Sequence, residues 1–201
     1  MSRGVAIVLA AGESRRMGVP KPLLEVRGQS FLGRLASEFQ AAGWEVCAVV
    51  GCQAARVRAA HPDIQCVENA AWSQGQFSSV CVGLRWALDA GATRVLVHPV
   101  DVPNVLGTTA TAVGQAVTGA VDAAVPVHDG VRGHPLVLSA SAAARVLAMG
   151  AAHLEAALGA LRVVEVAVTD PGVGQEADTP EDYWRLFGAA PRPLSPGANL
   201  K

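Results

Sequence analysis

The chain has 201 residues, 51% of them hydrophobic and 16% charged, with a formal net charge of -1. That suits one globular domain with a full aliphatic core and excludes a disordered chain. The near-neutral balance also excludes a global basic field for nucleic acid or an anionic membrane, so any attraction for phosphate has to be local.

In chain order, Val5-Ala6-Ile7-Val8-Leu9 is an unbroken apolar run that predicts a strand buried on both faces. A loop of glycines and cations follows. Phe31 to Ala42 predicts a helix closed by Gly43, Glu45 to Val50 a second strand, and Ile64 to Val67 a short third. Phe77 to Ala90 predicts a helix closed by Gly91. Arg94 to His98 is another buried strand and runs into Pro99-Val100-Asp101-Val102-Pro103. Thr109 to Val117 predicts a helix, and Ala123 to Val127 and Pro135 to Leu138 predict strands. Ala140 to Ala148 and His153 to Leu161 predict helices, Val163 to Val168 a strand, and Pro180 to Phe187 a last helix. Thr179 as N-cap, Pro180 as first helical residue and Asp182 three residues on form a capping arrangement that needs no catalytic explanation.

Apolar strands alternating with helices argue an α/β chain whose mostly parallel sheet is covered on both faces. Ligands of such sheets gather at the carboxyl ends of strands, where the glycine loop and Asp101 both fall. Residues 1–188 read as one domain, and the Pro-, Gly- and Ala-rich residues 189–201 as a flexible tail. Cys47, Cys52, Cys66 and Cys81 form no C-x-x-C pair, so reduced thiols are expected rather than a disulfide framework or a zinc site. The first residues lack the pattern of a signal peptide and no apolar run reaches membrane-spanning length, so the cytoplasm is the expected compartment.

The loop L-A-A-G-E-S-R-R-M-G-V-P-K, residues 9–21, fits neither common nucleotide fingerprint. Its lysine comes too late after Gly18 for a Walker loop, and G-x-G-x-x-G is absent. Ala10, Ala11 and Gly12 are small enough for a ligand to approach the backbone, and Arg15, Arg16 and Lys21 are able to reach phosphates. Taken alone, the loop is either an anion site or a turn with solvated arginines.

The fuller string closely resembles the L-A-A-G-x-S-x-R-M-G-x-x-K signature of the MobA-like nucleotidyltransferases. The resemblance continues through Asn69-x-x-Trp72-x-x-Gly75 with Ser78-Ser79, through Val100-Asp101-Val102-Pro103, and through Arg132-Gly133-His134-Pro135. It closes at Glu176-Ala177-Asp178-Thr179-Pro180-Glu181-Asp182-Tyr183. R-G-H-P matches the molybdopterin cytidylyltransferase branch. The resemblance implies a three-layer α/β sandwich, the Rossmann-like nucleotidyltransferase fold.

It also implies roles. Leu9, Ala10, Ala11 and Gly12 would cradle the nucleotide with Arg16 and Lys21, while Arg15 is a solvated neighbour. Asp101, otherwise a turn former or helix cap, would hold Mg²⁺ against the phosphates. Glu176 stands where the family has an aspartate and is expected as the second ligand, with Asp178 its competitor in another register. Asn69 is expected to read a ribose or base, and Trp72 to pack. Ser78 and Ser79 either cap the helix or bind the nucleotide. Gly133 and His134 would face the acceptor.

The reaction implied is attack of an acceptor phosphate on the α-phosphate of CTP, or of GTP as second choice, with pyrophosphate leaving. The acceptor implied is molybdopterin, with handover of the product to a molybdoenzyme. The branch's G-D-x-G-A-R loop is missing from Met149 to Ala157, so another small sugar, polyol or cofactor-precursor phosphate stays open as the acceptor. A non-catalytic nucleotide- or molybdopterin-binding escort is the reading from a different class.

Overall fold

The first apolar run forms β1 (Gly4–Ala10), buried along all but its first residue. Alternate side chains leave a strand on opposite faces. Ala6, Val8 and Ala10 enter one core, and Val5, Ile7 and Leu9 the other. A strand with no wet face shows no polar alternation, which is why the run reads as continuous.

The computed structural model describes residues 3–150 and 153–194. After β1 come a two-residue hairpin, β2 (Glu25–Val26) and β3 (Gln29–Ser30), then α1 (Phe31–Ala41), β4 (Glu45–Val50), α2 (Ala54–Ala60), β5 (Gln65–Glu68) and α3 (Gln76–Asp89). β6 (Arg94–Pro99), α4 (Gly107–Ala116), β7 (Ala123–His128), β8 (Val131–Arg132) and β9 (Leu136–Ser139) follow. The chain continues through α5 (Ala140–Ala148), α6 (Leu154–Leu158), β10 (Val163–Ala167) and α7 (Pro180–Phe187).

The main sheet runs β10-β7-β9-β6-β1-β4-β5, with β8 paired to β7. β1 is parallel to both β4 and β6, β4 to β5, and β7 to β10. β9 is the exception, running antiparallel to both β6 and β7. The chain leaves β7 through Asp129 and Gly130, both at positive φ, into β8 and straight back along β9. A parallel return needs a crossover of a dozen or more residues, and this link is too short for one.

Helices cover both faces, as a three-layer sandwich requires. α1 sends Phe31, Leu32, Leu35 and Phe39 into the core shared with Ala6 and Val8. α3 sends Val80, Leu84 and Ala87, and α5 Ala142 and Val146, into the other. Fully burying one such side chain contributes about 1.5–3 kcal/mol. α3 sits so close to β1 that a Cβ at Gly83 would lie 2.4 Å from Ile7 Cγ2, so only glycine fits there.

α2 was not foreseen, because it buries only Ala54 and Val57 and has no side-chain cap. The expected helix His153–Leu161 is shorter: His153 is its N-cap, its Nδ1 accepting from Ala156 N at 3.2 Å. Within the expected tail, Arg192 pairs with Glu25 at 2.9 Å and Leu194 N donates to Leu23 O at 2.8 Å. Residues 195–201 lie outside the described residues. All four cysteines are unpaired, but only Cys47 is fully buried, and burial pushes its thiol up to about 12. Among the described residues no helix is long and apolar enough to cross a membrane.

Asp122 ties together the starts of β7 and β10 and the helix α5. Its carboxylate accepts from Arg162 N at 2.9 Å and from Arg145 at 3.0 Å. The backbone hydrogen bond, then the two arginine charges, hold its carboxyl below the usual carboxylate range against the opposing effect of burial. A depressed folded pKa gives stability that is present above the unfolded value and lost as pH falls through the folded one. We expect urea midpoints of the wild type to fall with acidification below the ordinary value of 3.8, and Asp122→Asn to flatten that fall while starting lower at neutral pH.

Candidate active site

Chain order reverses beside β1. The sheet grows from β1 through β4 to β5, and β6 then returns to the opposite flank. Crevices at such reversals are where open α/β sheets take ligands. Leu9 stands opposite Pro99 and Ala10 opposite Val50, so the three strands end level. A cleft of about 530 Å³ opens there, lined by Leu9, Ala10, Ala11 and Gly12 and by Arg15, Arg16, Lys21, Ser79, Asp101 and Asp178.

The loop after β1 is shaped by Ser14, which takes the left-handed φ of 59°. Its carbonyl accepts from Met17 N and Gly18 N at 3.1 Å, and its hydroxyl accepts from Lys21 N at 3.0 Å. The chain thereby doubles back and brings Lys21 into the cleft. A side chain at Gly12 would meet nothing within 4 Å, so the room beside it belongs to the cleft.

Lys21 Nζ lies 2.8 Å from Asp101 Oδ2 and 2.5 Å from Asp178 Oδ1, and Arg16 reaches the other Asp178 oxygen at 3.0 Å. Burial works against the Lys21 ammonium, but the two carboxylates outweigh it and its pKa is raised. The hydrogen bond from Lys21 and the charges of Lys21 and Arg16 hold the Asp178 carboxyl low, with burial opposing them. Arg15 points to solvent, 82% exposed, and pairs with Glu13.

Glu176 lies beside this cluster and not on the cleft wall. Burial first, then the negative charges of Asp101 and Asp178, push its carboxyl up, with Lys21 pulling the other way. Among the described residues no group of three His, Cys, Asp or Glu stands close enough to hold a metal ion unaided.

The segment from Asp170 to Asp178 straps over the Asp101 turn. Asp170 is buried and accepts from Leu106 N at 2.9 Å, Thr109 Oγ1 at 2.7 Å and Gly172 N at 2.9 Å. Ala177 N donates to Asp101 O, and His134 N donates to Val173 O, each at 2.8 Å. The capping box of Thr179 and Asp182 is present as expected, and it starts α7 immediately after Asp178. Gly133 packs on the strap, where a Cβ would lie 2.4 Å from Val173 O. We expect Gly133→Ala to cost about 1–3 kcal/mol by overpacking, read as a lowered thermal midpoint.

His134 is half-buried, off the cleft wall, with its ring edge-on to His98 at 6.0 Å. Burial lowers its pKa against the pull of the Asp101 charge. Asn69 is only 2% exposed and also off the wall. Its amide donates to Ser78 Oγ at 2.8 Å and Ser79 Oγ at 2.9 Å, and its Oδ1 accepts from Ala71 N at 3.0 Å. Neither serine caps α3, whose N-cap is Gly75 with no side-chain cap. Ser78 donates instead to Gly75 O at 2.7 Å, and Ser79 alone of the pair lines the cleft.

Sequence reasoning missed Ser14, Ser73 and Gln76 as lining residues. Ser14 lies inside the loop signature, and Ser73 and Gln76 flank Trp72 and Gly75, so nearness to the motifs was the available signal. Trp72 does pack, with its Cβ against Gly51, and it lines the cleft as well.

Comparison with known proteins places this geometry in context. A molybdenum cofactor guanylyltransferase of Cereibacter sphaeroides is 29% identical over 166 residues, 73% of this chain and 80% of that protein. Rv0371c from Mycobacterium tuberculosis H37Rv superposes with a TM-score of 0.77 at 28% identity, over 94% of this chain and 99% of that one. The same protein in complex with manganese gives 0.72 at 26% identity, over 94% and 100%. A nucleotidyl transferase from Methanothermobacter shares the fold, with a TM-score of 0.80 at 22% identity, over 94% and 97%. The MobA-like NTP transferase domain matches residues 6–167. That match runs from inside β1 to the end of β10 and takes in both the glycine loop and the Asp101 turn, so the chain belongs to the MobA-like NTP transferase family and is a nucleotidyltransferase.

Proposed function

We propose that the protein joins the NMP of CTP or GTP to the phosphate of molybdopterin and releases pyrophosphate. The observation that carries this reading is the Lys21 ammonium shared by Asp101 and Asp178 at the mouth of the glycine-loop cleft. The names of the Cereibacter relatives favour guanine and molybdopterin, and Arg132-Gly133-His134-Pro135 favours cytosine.

An acceptor phosphate oxygen attacks the α-phosphorus in line, the new P–O bond forms, and the bond to the β-phosphate oxygen breaks. Such transfers depend mainly on positioning and charge stabilisation. Backbone N–H groups near Gly12 face the triphosphate, with Arg16 and Lys21 beside it. Lys21 enters the reaction charged, since its carboxylate partners raise its pKa, and it exchanges those partners for phosphate oxygens. His134 donates a hydrogen bond to the acceptor phosphate, and no general base is needed because a phosphate monoester is already nucleophilic.

The hard oxygens of Asp101 and Glu176 suit Mg²⁺, or the manganese found in the mycobacterial protein. The field of Asp101 and Asp178 that pushes the Glu176 carboxyl up is one a divalent cation would relieve. Asp178 is already engaged by Lys21 and Arg16. An ion held by Asp101 and Glu176 would supply neutralisation of the charge that builds on the α-phosphate and the leaving group. Calorimetric titration separates the ligands: Glu176→Gln should weaken Mg²⁺ binding more than Asp178→Asn does, and the reverse order would exchange their roles.

The deciding assay is pyrophosphate release with each of the four NTPs, with and without molybdopterin. Release with CTP or GTP that depends on molybdopterin is expected. Release that ignores molybdopterin but answers to another phosphorylated acceptor would sink the acceptor reading.

A further inference from the structure

His98 is the last side chain but one of β6 and is fully buried, at 0% exposure. Its Nε2 lies 2.8 Å from the carbonyl oxygen of Val102. A carbonyl only accepts, so Nε2 must carry the proton and donate. The other ring nitrogen, Nδ1, is then a bare lone pair, and it is buried with no hydrogen-bond partner. The ring stands edge-on to Phe39 at 5.2 Å and to His134 at 6.0 Å, so aromatic surfaces enclose it.

A polar side chain near the end of a buried apolar strand calls for a reason, and the partner it chooses supplies one. Val102 is buried at 0% exposure and follows Asp101 directly. Its carbonyl is out of reach of water, and leaving it unpaired would cost stability. Pro99 and Pro103 bound the turn, and proline has no N–H to give. The strap fixes the Asp101 carbonyl from one side, and the His98 ring fixes the Val102 carbonyl beyond it. The Asp101 side chain leaves the chain immediately before these two anchors.

We infer that His98 is a positioning residue for nucleotidyl transfer: as a neutral Nε2–H imidazole it pins the Val102 carbonyl and so fixes the turn that presents Asp101 to the nucleotide phosphates. Burial, and to a lesser degree the neighbouring His134, hold its pKa down at about 3 against the hydrogen bond to Val102, so the donor stays in one form throughout the working range. An imidazolium there would carry a second buried N–H with nothing to receive it.

The inference rests on the proposed role of Asp101, and its test has an arm that does not. A nitrogen-15 spectrum of the wild-type protein should show His98 as a single neutral Nε2–H tautomer from pH 5.5 to 8.5, with a slowly exchanging ring proton. An Nδ1–H tautomer, or a rapidly exchanging proton, overturns the proposal whether or not any acceptor supports turnover. The second arm compares His98→Phe, which keeps a ring and loses the donor, with His98→Gln, whose amide nitrogen restores a donor near the place of Nε2. His98→Phe should lower kcat by about tenfold to a hundredfold, the scale of a small misplacement of a reacting group, with KM for the nucleotide within about twofold. His98→Gln should recover most of that loss. Wild-type kcat in His98→Phe, or an equal loss in folded His98→Gln, overturns the proposal.

Discussion

Replacing Asp101 with alanine is expected to abolish turnover and to leave the fold standing. What holds the turn is backbone and neighbour: the Asp101 carbonyl accepts from Ala177 N, and Val102 is anchored by His98, and neither contact uses the Asp101 carboxylate. That side chain is 25% exposed and, among the described residues, pairs with the ammonium of Lys21, which keeps Asp178 as a partner when Asp101 is gone. The loss therefore falls on the chemistry. A carboxylate that places a metal ion against a transferring phosphoryl group accounts for several kcal/mol of transition-state stabilisation, or roughly a thousandfold or more in rate. Pyrophosphate release and a thermal melt on the same preparation check this. Activity near wild type would remove Asp101 from the site, and a collapsed melt would make it structural.

Lys21→Met carries the second large effect and, unlike the first, touches both rate and stability. Methionine keeps much of the buried stem and removes the charge. Asp101 and Asp178 are then left facing one another without their shared cation, with Glu176 nearby. Stranding partly buried carboxylates in this way costs about 1–3 kcal/mol. Turnover should fall by about a hundredfold to a thousandfold, as when one preorganised donor to developing charge is lost. The pH dependence separates this from a packing defect. In the wild type Asp178 has a depressed pKa and loses stabilisation as pH falls through it. In Lys21→Met the Asp178 carboxylate loses the hydrogen bond and charge that hold its pKa down, its folded pKa rises, and the variant should gain stability relative to the wild type as pH falls toward the carboxylate range. Urea midpoints measured from neutral pH downward read the sign, and a constant gap between the two proteins would rule this account out.

Much of this was legible because buried parallel strands are written as plain apolar runs, and β1, β4 and β6 carry that pattern openly. The direction of β9 was not, since strand orientation depends on the length and path of the link and not on the strand's own residues. α2 escaped because a helix that buries two residues leaves almost no periodicity to find. At the site, Lys21, Arg16 and Asp101 were found from their motifs and do converge. Ser78 and Ser79 are adjacent in sequence but about 100° apart on a helix, so only one faces the cleft, and their letters do not say which. The partners of Asn69 were hidden for the same reason, because a buried amide and a ligand-reading amide look alike until the hydrogen bonds are placed. His98 read only as the end of a buried strand until the carbonyl it pins was known.

β1 comes first of the sheet's strands in sequence, yet it lies inside the sheet between β6 and β4. A ribosome delivers it before either neighbour exists: β4 arrives next, and β6 only after α2, β5 and α3 have been made. During that interval this apolar strand has one open edge, and a face that α3 covers only at its end. Pairings this distant in sequence form late and leave the growing chain exposed to aggregation. The glycine loop inherits the delay. Lys21 is synthesised long before Asp101 and Asp178, so the site cannot assemble until nearly the whole domain has left the ribosome, and a chain truncated before Asp170 would carry Lys21 and Asp101 without Asp178 or the strap.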